Sequence, residues 1–261
     1  MLPQFRVKQE EAINVSGDDL MATVAGIFEK MGVPAADAQV GADALVLADL
    51  RGVDSHGVSN MLKSYVNGYT SGQINPRPEM KIVRETPATA SMDSDRGLGV
   101  ITAPKAMELA IRKAQDVGVG MVTLGNARHL GMASYHAMLA LKHDMIGICM
   151  TSCPPRALPT FGAEPRLGTN PIAIAVPAKN DHPFVFDAAT SSVAQNKIEI
   201  ARRLGATLEP GWLATEDGTP IMEELTSVPE KYHMLPLGAT RELAPIKAMA
   251  FPAWWTYWPE C

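Results

Sequence analysis

The sequence predicts an α/β protein, a mixed-sheet domain preceded by a small N-terminal helical unit. Three observations predict it. Residues 1–75 carry three helical patterns and no strand pattern, whereas residues 76–243 alternate short apolar runs with helical stretches. No apolar run is followed by G-x-G-x-x-G, since "GLGV" and "GVGM" fail the spacing, so the sheet domain is read as non-Rossmann.

Each element has a local reason. Ser16 to Lys30 reads as a helix capped by Ser16 or Asp18, with Leu20, Val24, Ile27 and Phe28 as its apolar stripe and Gly32 and Pro34 as its stop. Ala35 to Leu50 is a second helix, with a proline at its start and an acid in its first turn. Gly57 to Tyr69 is a third, closed by the turn-rich "TSGQINPRP". "EMKIVRE" and "ATASMDSD" then read as short strands, Thr102 to Asp116 as a helix, "VGVGMVTLG" as a buried strand and Leu130 to Lys142 as a helix. "MIGICMTS" and "NPIAIAVPA" have strand length, and "PFVFDAAT" is a strand leading into a helix over Ser191 to Leu204.

Bulk properties exclude several function classes. The chain has 261 residues, 46% hydrophobic and 20% charged, with a net charge of −5, which gives no electrostatic case for nucleic acid. No stretch approaches the ~20 apolar residues of a membrane span, and the charged N-terminus is not that of a signal peptide. The three cysteines (Cys149, Cys153 and Cys261) form neither a disulfide framework nor a zinc set, which points to a reduced, cytoplasmic setting and no metal.

Two stretches concentrate chemistry. "RGVDSHGVSN" places Arg51, Asp54, Ser55 and His56 at the junction of two helices. An imidazole titrates near pH ~6.5, so His56 can move protons; a capping His–Ser pair at a helix terminus is the other reading. "GNARHLGMASYH" follows a strand and opens a helix, the position where α/β proteins place ligands. His129 falls on that turn. His136 and His143 follow at steps of seven residues, too far apart to share a metal, and are read as structural or solvated. In "RLGTNPIAIAVP" and "FDAATSS", Thr169, Asp187, Thr190 and Ser191 flank strand ends and a helix start, where they either meet a phosphate or simply cap the helix.

"ADLRGVDSHGVSNM", "GNARHLGMASYH", "LGTNPIAIAVP", "FDAATSSVAQNKI", "ATEDGTP" and "LPLGATREL" occur in this order. Together they resemble the malate/L-lactate dehydrogenase-like oxidoreductases, which include L-sulfolactate and ureidoglycolate dehydrogenases, over residues 10–243. The resemblance implies NAD or NADP in a non-Rossmann fold and hydride transfer at C2 of a 2-oxo or 2-hydroxy acid in a homodimer. It implies His56 as general acid/base oriented by Ser55, with His129 polarising the carbonyl or holding the carboxylate. Thr169 matches a position near the substrate. Ser152, Cys153, Asp187, Ala188, Ala189, Pro236 and Leu237 match positions lining the dinucleotide. Where many members carry a carboxylate-gripping arginine, four residues after the S-H-G histidine, this chain has Asn60; Lys63, one helical turn on, is expected to supply the charge. Asn196 replaces the glycine that many members have before Lys197.

The tail "IKAMAFPAWWTYWPEC" departs from the family and holds Trp254, Trp255 and Trp258. One permitted codon choice for it, read in the adjacent frame, spells H-K-G-Y-G-L-P-G-L-V-D-I-L-A-G-V, which resembles the family's continuation. The expectation is an out-of-frame segment from Ala244 through Cys261 in a truncated chain. Its consequence is an alternative to the working enzyme, an inactive remnant that binds ligand weakly or not at all.

Overall fold

The computed structural model describes residues 2–8, 10–240 and 242; the tail and the expectation attached to it lie outside the described residues. The elements form a mixed α/β architecture in two compact units, Ala12–Ile148 and, by its described residues, Met1–Glu11 with Cys149–Cys261. The division between units falls at 148, whereas the sequence pattern changes from helical to alternating near 75.

The reason lies in the first unit's core. Helices α1 (Gly17–Lys30), α2 (Ala35–Leu50), α3 (Val58–Thr70), α4 (Gly99–Val117) and α5 (Ala133–Met138) carry it. Val24, Phe28, Ala42 and Leu45 from the early helices are buried in one cluster with Leu98, Val100, Ile101 and Tyr135. The early helices thus find their apolar partners in the segment that follows them. Helix α2 is covered on most sides by small residues, among them Ala38, Gly41, Ala42, Ala44 and Ala48. A Cβ on Gly41 would come within 2.9 Å of the Phe28 ring, so the close α1–α2 approach depends on that small residue. Ser16 caps α1, its Oγ accepting from the Asp19 N–H at 3.4 Å.

Strands β1 (Lys81–Glu85), β2 (Thr89–Asp93) and β3 (Met121–Gly125) make a three-stranded sheet. β1 and β2 are antiparallel with an irregularity between Ile82 and Arg84, and β2 and β3 are parallel across α4. The chain passes into the second unit within β4 (Gly147–Met150). That strand belongs with β5 (Ile172–Val176) and β6 (Phe184–Ala188) in a second sheet, and β7 (Leu213–Ala214) and β8 (His233–Met234) form a two-stranded ladder. Alternation of strands and helices signals a mixed fold but not which strands pair, and among the described residues the strands segregate into three small sheets.

The second unit is cored by Val193, Ile198, Ala201, Leu208, Leu213 and Met234, which bury Phe5 with them. Phe5 stacks on Trp212 at 6.3 Å between centroids, and the Gln4 amide donates to Glu209 at 2.7 Å. Residues 1–11 therefore belong with the C-terminal segment rather than with the helices that follow them in sequence.

Three helices differ in their limits from expectation. The one expected over Leu130 to Lys142 is α-helical only over Ala133–Met138 and continues as a 3-10 helix over Leu139–His143. α4 starts at Gly99, before the expected Thr102, with the Thr102 N–H on the Leu98 carbonyl, and carries Pro104 as its sixth residue, where the missing N–H removes one helical bond. α6 (Gln195–Leu204) starts at Gln195, not Ser191. Its N-cap is Ala194 with no side-chain cap, so the capping reading of Asp187 and Thr190 does not hold. Instead Thr190 Oγ1 donates to the Thr169 carbonyl, and the Ser191 and Ser192 hydroxyls donate to the carbonyls of Val193 and Pro236. Among the described residues no helix is long and apolar enough to cross a membrane, and no group of three or more His, Cys, Asp or Glu could hold a metal ion.

Candidate active site

Two histidines meet in the first unit. His56 closes a 3-10 turn, Asp54–His56, between α2 and α3. His129 lies on the loop between β3 and α5. Their rings stack 5.5 Å apart at an interplanar angle of 9°. Seventy-odd residues separate them in sequence, and neither local pattern announces the other.

Each ring is held through Nδ1. Ser55 Oγ lies 2.9 Å from Nδ1 of His56, and Tyr65 Oη lies 2.7 Å from Nδ1 of His129. Among the described residues no hydrogen bond engages either Nε2, so both rings present that nitrogen for chemistry. His129 keeps an open face and His56 is half-buried. Protein nonetheless crowds both rings enough to disfavour charge. Burial lowers His56 to about 4, and burial followed by the charge of His56 lowers His129 to about 4. At neutral pH both imidazoles are uncharged, and a proton on one opposes a proton on the other.

The scaffold under His56 is built from α2 and α3. Asp49, on the last turn of α2, accepts the Val58 N–H at 2.9 Å through Oδ2 and so caps α3 from outside that helix. Burial raises the Asp49 carboxyl above its ordinary range, the Val58 bond opposes this, and the charge of Asp54 adds to it. Gly57 stands directly against this carboxylate; any Cβ there would overlap Asp49 Oδ1. The His–Ser pair is therefore not the cap of α3, because Asp49 fills that role and leaves both side chains for each other.

Asn60 has a structural use. Its amide donates to the Ser55 carbonyl at 3.0 Å, tying the first turn of α3 back to the 3-10 turn. Lys63 is exposed on α3 and makes no ion pair among the described residues. Under His129 the loop is fixed by backbone bonds, with the Arg128 N–H on the Gly97 carbonyl at 2.9 Å and the Val100 N–H on the His129 carbonyl at 3.1 Å. Gly131, at φ 78°, turns the chain where a Cβ would press on Val100 at 2.9 Å. His136 is buried and hydrogen-bonded to the Leu130 carbonyl at 2.9 Å, a structural histidine.

Tyr65 and Asp49 escaped the reading of the sequence. Tyr65 sits at a periodic core position of α3 and looks like filling. The available signal was general, namely that a buried tyrosine needs a partner for its hydroxyl.

In the second unit three of the residues expected at the dinucleotide, Cys153, Pro236 and Leu237, make backbone contacts with Asn170, Ser191 and Thr190. The Cys153 N–H donates to Asn170 Oδ1 at 2.8 Å. The Thr190 N–H donates to the Thr169 carbonyl at 2.8 Å, and the Leu237 N–H to the Thr190 carbonyl at 2.8 Å. Ser191 bridges to Pro236. Ser152, Asp187 and Leu237 are exposed, and the small Ala188 and Ala189 follow Asp187 in the chain. Burial, then the charge of Asp187, raises the Cys149 thiol to about 12, which keeps it protonated. A carboxylate and a hydroxyl able to bond a ribose, and small or apolar side chains able to lie against a flat ring, are the chemistry a nicotinamide nucleotide would use.

The sequence profile of the malate/L-lactate dehydrogenase family matches residues 15–249. A malate dehydrogenase of Pyrococcus horikoshii is 45% identical over 234 residues, covering 90% of this chain and 64% of the relative. An L-sulfolactate dehydrogenase of Methanocaldococcus jannaschii is 47% identical over 194 residues, covering 74% of this chain and 56% of the relative. Among solved structures, the malate dehydrogenase of Entamoeba histolytica superposes with a TM-score of 0.82 at 36% identity, over 88% of this chain and 65% of that one. The chain thus spans less than two thirds of the length of these relatives. The matched profile, the level of identity and the shared fold place it in one family: the chain belongs to the malate/L-lactate dehydrogenases.

Proposed function

We propose that the protein interconverts a 2-hydroxy acid and the corresponding 2-oxo acid by hydride transfer, with NAD or NADP as coenzyme and His56 as the proton-transfer group. The observation that carries the reading is the stacked pair of imidazoles, each fixed through Nδ1 and open at Nε2. Malate and L-sulfolactate, the acids named for the relatives, support small 2-hydroxy acids as the substrate class.

Oxidation of the hydroxy acid needs a base for the hydroxyl proton. A neutral imidazole whose Nδ1–H rests on the Ser55 hydroxyl offers its Nε2 lone pair for that step. The low titration of His56 keeps this form dominant at neutral pH. The bound coenzyme supplies the acceptor for the hydride that leaves C2, and Ser152, Cys153, Asp187, Ala188, Ala189, Pro236 and Leu237 are the residues proposed to hold it. In the reverse direction the protonated His56 returns the proton to the carbonyl oxygen, and the substrate's negative carboxylate favours that charged form. His129 donates a hydrogen bond to the oxygen or carboxylate and does not itself exchange a proton. Lys63 is assigned the carboxylate charge, since Asn60 is engaged with Ser55, and Thr169 is proposed as a substrate contact on the family resemblance. The assembly proposed is a homodimer.

The test is incubation with NADH or NADPH and a panel of small 2-oxo acids. The reading expects loss of nicotinamide absorbance with at least one acid and a coenzyme-dependent rise in Tm. Absence of both with every acid sinks it.

A further inference from the structure

Tyr65 is 2% exposed, and its hydroxyl lies 2.7 Å from Nδ1 of His129. Among the described residues it has no other hydrogen-bond partner. A buried phenol must place its hydrogen on an acceptor, and here the acceptor is that ring nitrogen. If Nδ1 carried its own hydrogen, the phenolic hydrogen would be left in a dry interior facing nothing. The geometry therefore fixes the direction of the bond: Tyr65 donates, Nδ1 of His129 accepts, and the ring hydrogen of the neutral imidazole sits on Nε2.

The partner of His56 imposes no such choice. A serine hydroxyl rotates and accepts as readily as it donates. Ser55 can take the Nδ1–H of His56 and leave a lone pair on Nε2. Two parallel rings of the same type are thereby made unlike by the hydroxyls behind them. The stacking at 5.5 Å makes the difference useful, because it brings both rings within reach of one small substrate.

We propose that Tyr65 is a positioning residue: it holds His129 in the tautomer with hydrogen on Nε2, making that ring a fixed donor and leaving proton transfer to His56. This inference rests on the hydride-transfer reading for its catalytic meaning, but the bond direction can be tested without it.

The experiment is nitrogen-15 NMR of the histidine-labelled 261-residue chain at pH 7, with the His129 signals assigned by difference from His129→Gln. The expected result is a one-bond N–H coupling at Nε2 of His129, an unprotonated Nδ1, and a slowly exchanging tyrosine hydroxyl proton correlated with that Nδ1. The hydroxyl signal disappears in Tyr65→Phe. A hydrogen found on Nδ1 of His129 in the unsubstituted chain overturns the proposal, whatever the folding of the variant. The second arm is kinetic. Tyr65→Phe, which conserves shape, should lower kcat about tenfold, the size of one lost hydrogen bond, with the coenzyme KM unchanged. Full retention of kcat would remove the positioning role even with the bond direction upheld. The NMR arm needs neither coenzyme nor acid, so it decides the bond direction even for a chain that fails the 2-oxo acid panel.

Discussion

Gly57→Ala is the most informative single perturbation, because its whole cost should pass through one carboxylate. Gly57 has φ −85° and ψ −176°, a backbone conformation open to any residue, so the substitution brings no conformational strain. The obstacle is steric. The new methyl would overlap Asp49 Oδ1 and lie 2.9 Å from Oδ2. Asp49 must then leave the Val58 N–H that it accepts at 2.9 Å. A hydrogen bond to an ionised group is worth about 1.5–3 kcal/mol. Alanine restores about 0.4–1 kcal/mol by restricting the unfolded chain, so the net loss should be about 0.5–2.5 kcal/mol. In an Asp49→Ala background, which has already lost the same bond, the clash is gone. There Gly57→Ala should be neutral or stabilising by about 0.4–1 kcal/mol. Urea unfolding of the four proteins of this cycle, followed by far-UV circular dichroism, reads the coupling directly. Equal costs of Gly57→Ala in the two backgrounds would refute the argument that Asp49 is the obstacle.

Other outcomes follow from the same geometry. His56→Ala should lower turnover by about 10²- to 10⁴-fold with little change in coenzyme binding, and His129→Ala should lower it less; the opposite ranking reassigns the proton to His129. Folding depresses both imidazoles from 6.5 to about 4. Between those values the unfolded chain binds more protons than the native one, so stability present above pH 6.5 is lost as pH falls toward about 4. His56→Gln should flatten the dependence of the urea midpoint on pH in that window, and an unchanged slope counts against the burial argument. Lys63→Met should raise the KM for the oxo acid about tenfold or more, the value of one charge-assisted hydrogen bond; an unaltered KM would show that the carboxylate is held elsewhere.

Much of this protein is settled locally. The cap at Ser16, the proline and acid that open α2, and the strand-to-helix turn carrying His129 are written in neighbouring residues, because capping, backbone restriction and hydrophobic period act over a few positions. The order of the S-H-G, H-L-G and T-N-P motifs likewise identifies the family from the sequence alone. Folding decided what depends on contacts distant along the chain. It brought Phe5 onto Trp212, sent the strands into three separate sheets, and set the ring of His129 against that of His56. It also brought a core tyrosine against Nδ1 of His129 and a helix-end aspartate against the first N–H of α3. Composition and period report that a residue is buried, but not whose lone pair its hydroxyl will meet. That information exists only once two segments have packed and water has been excluded from between them.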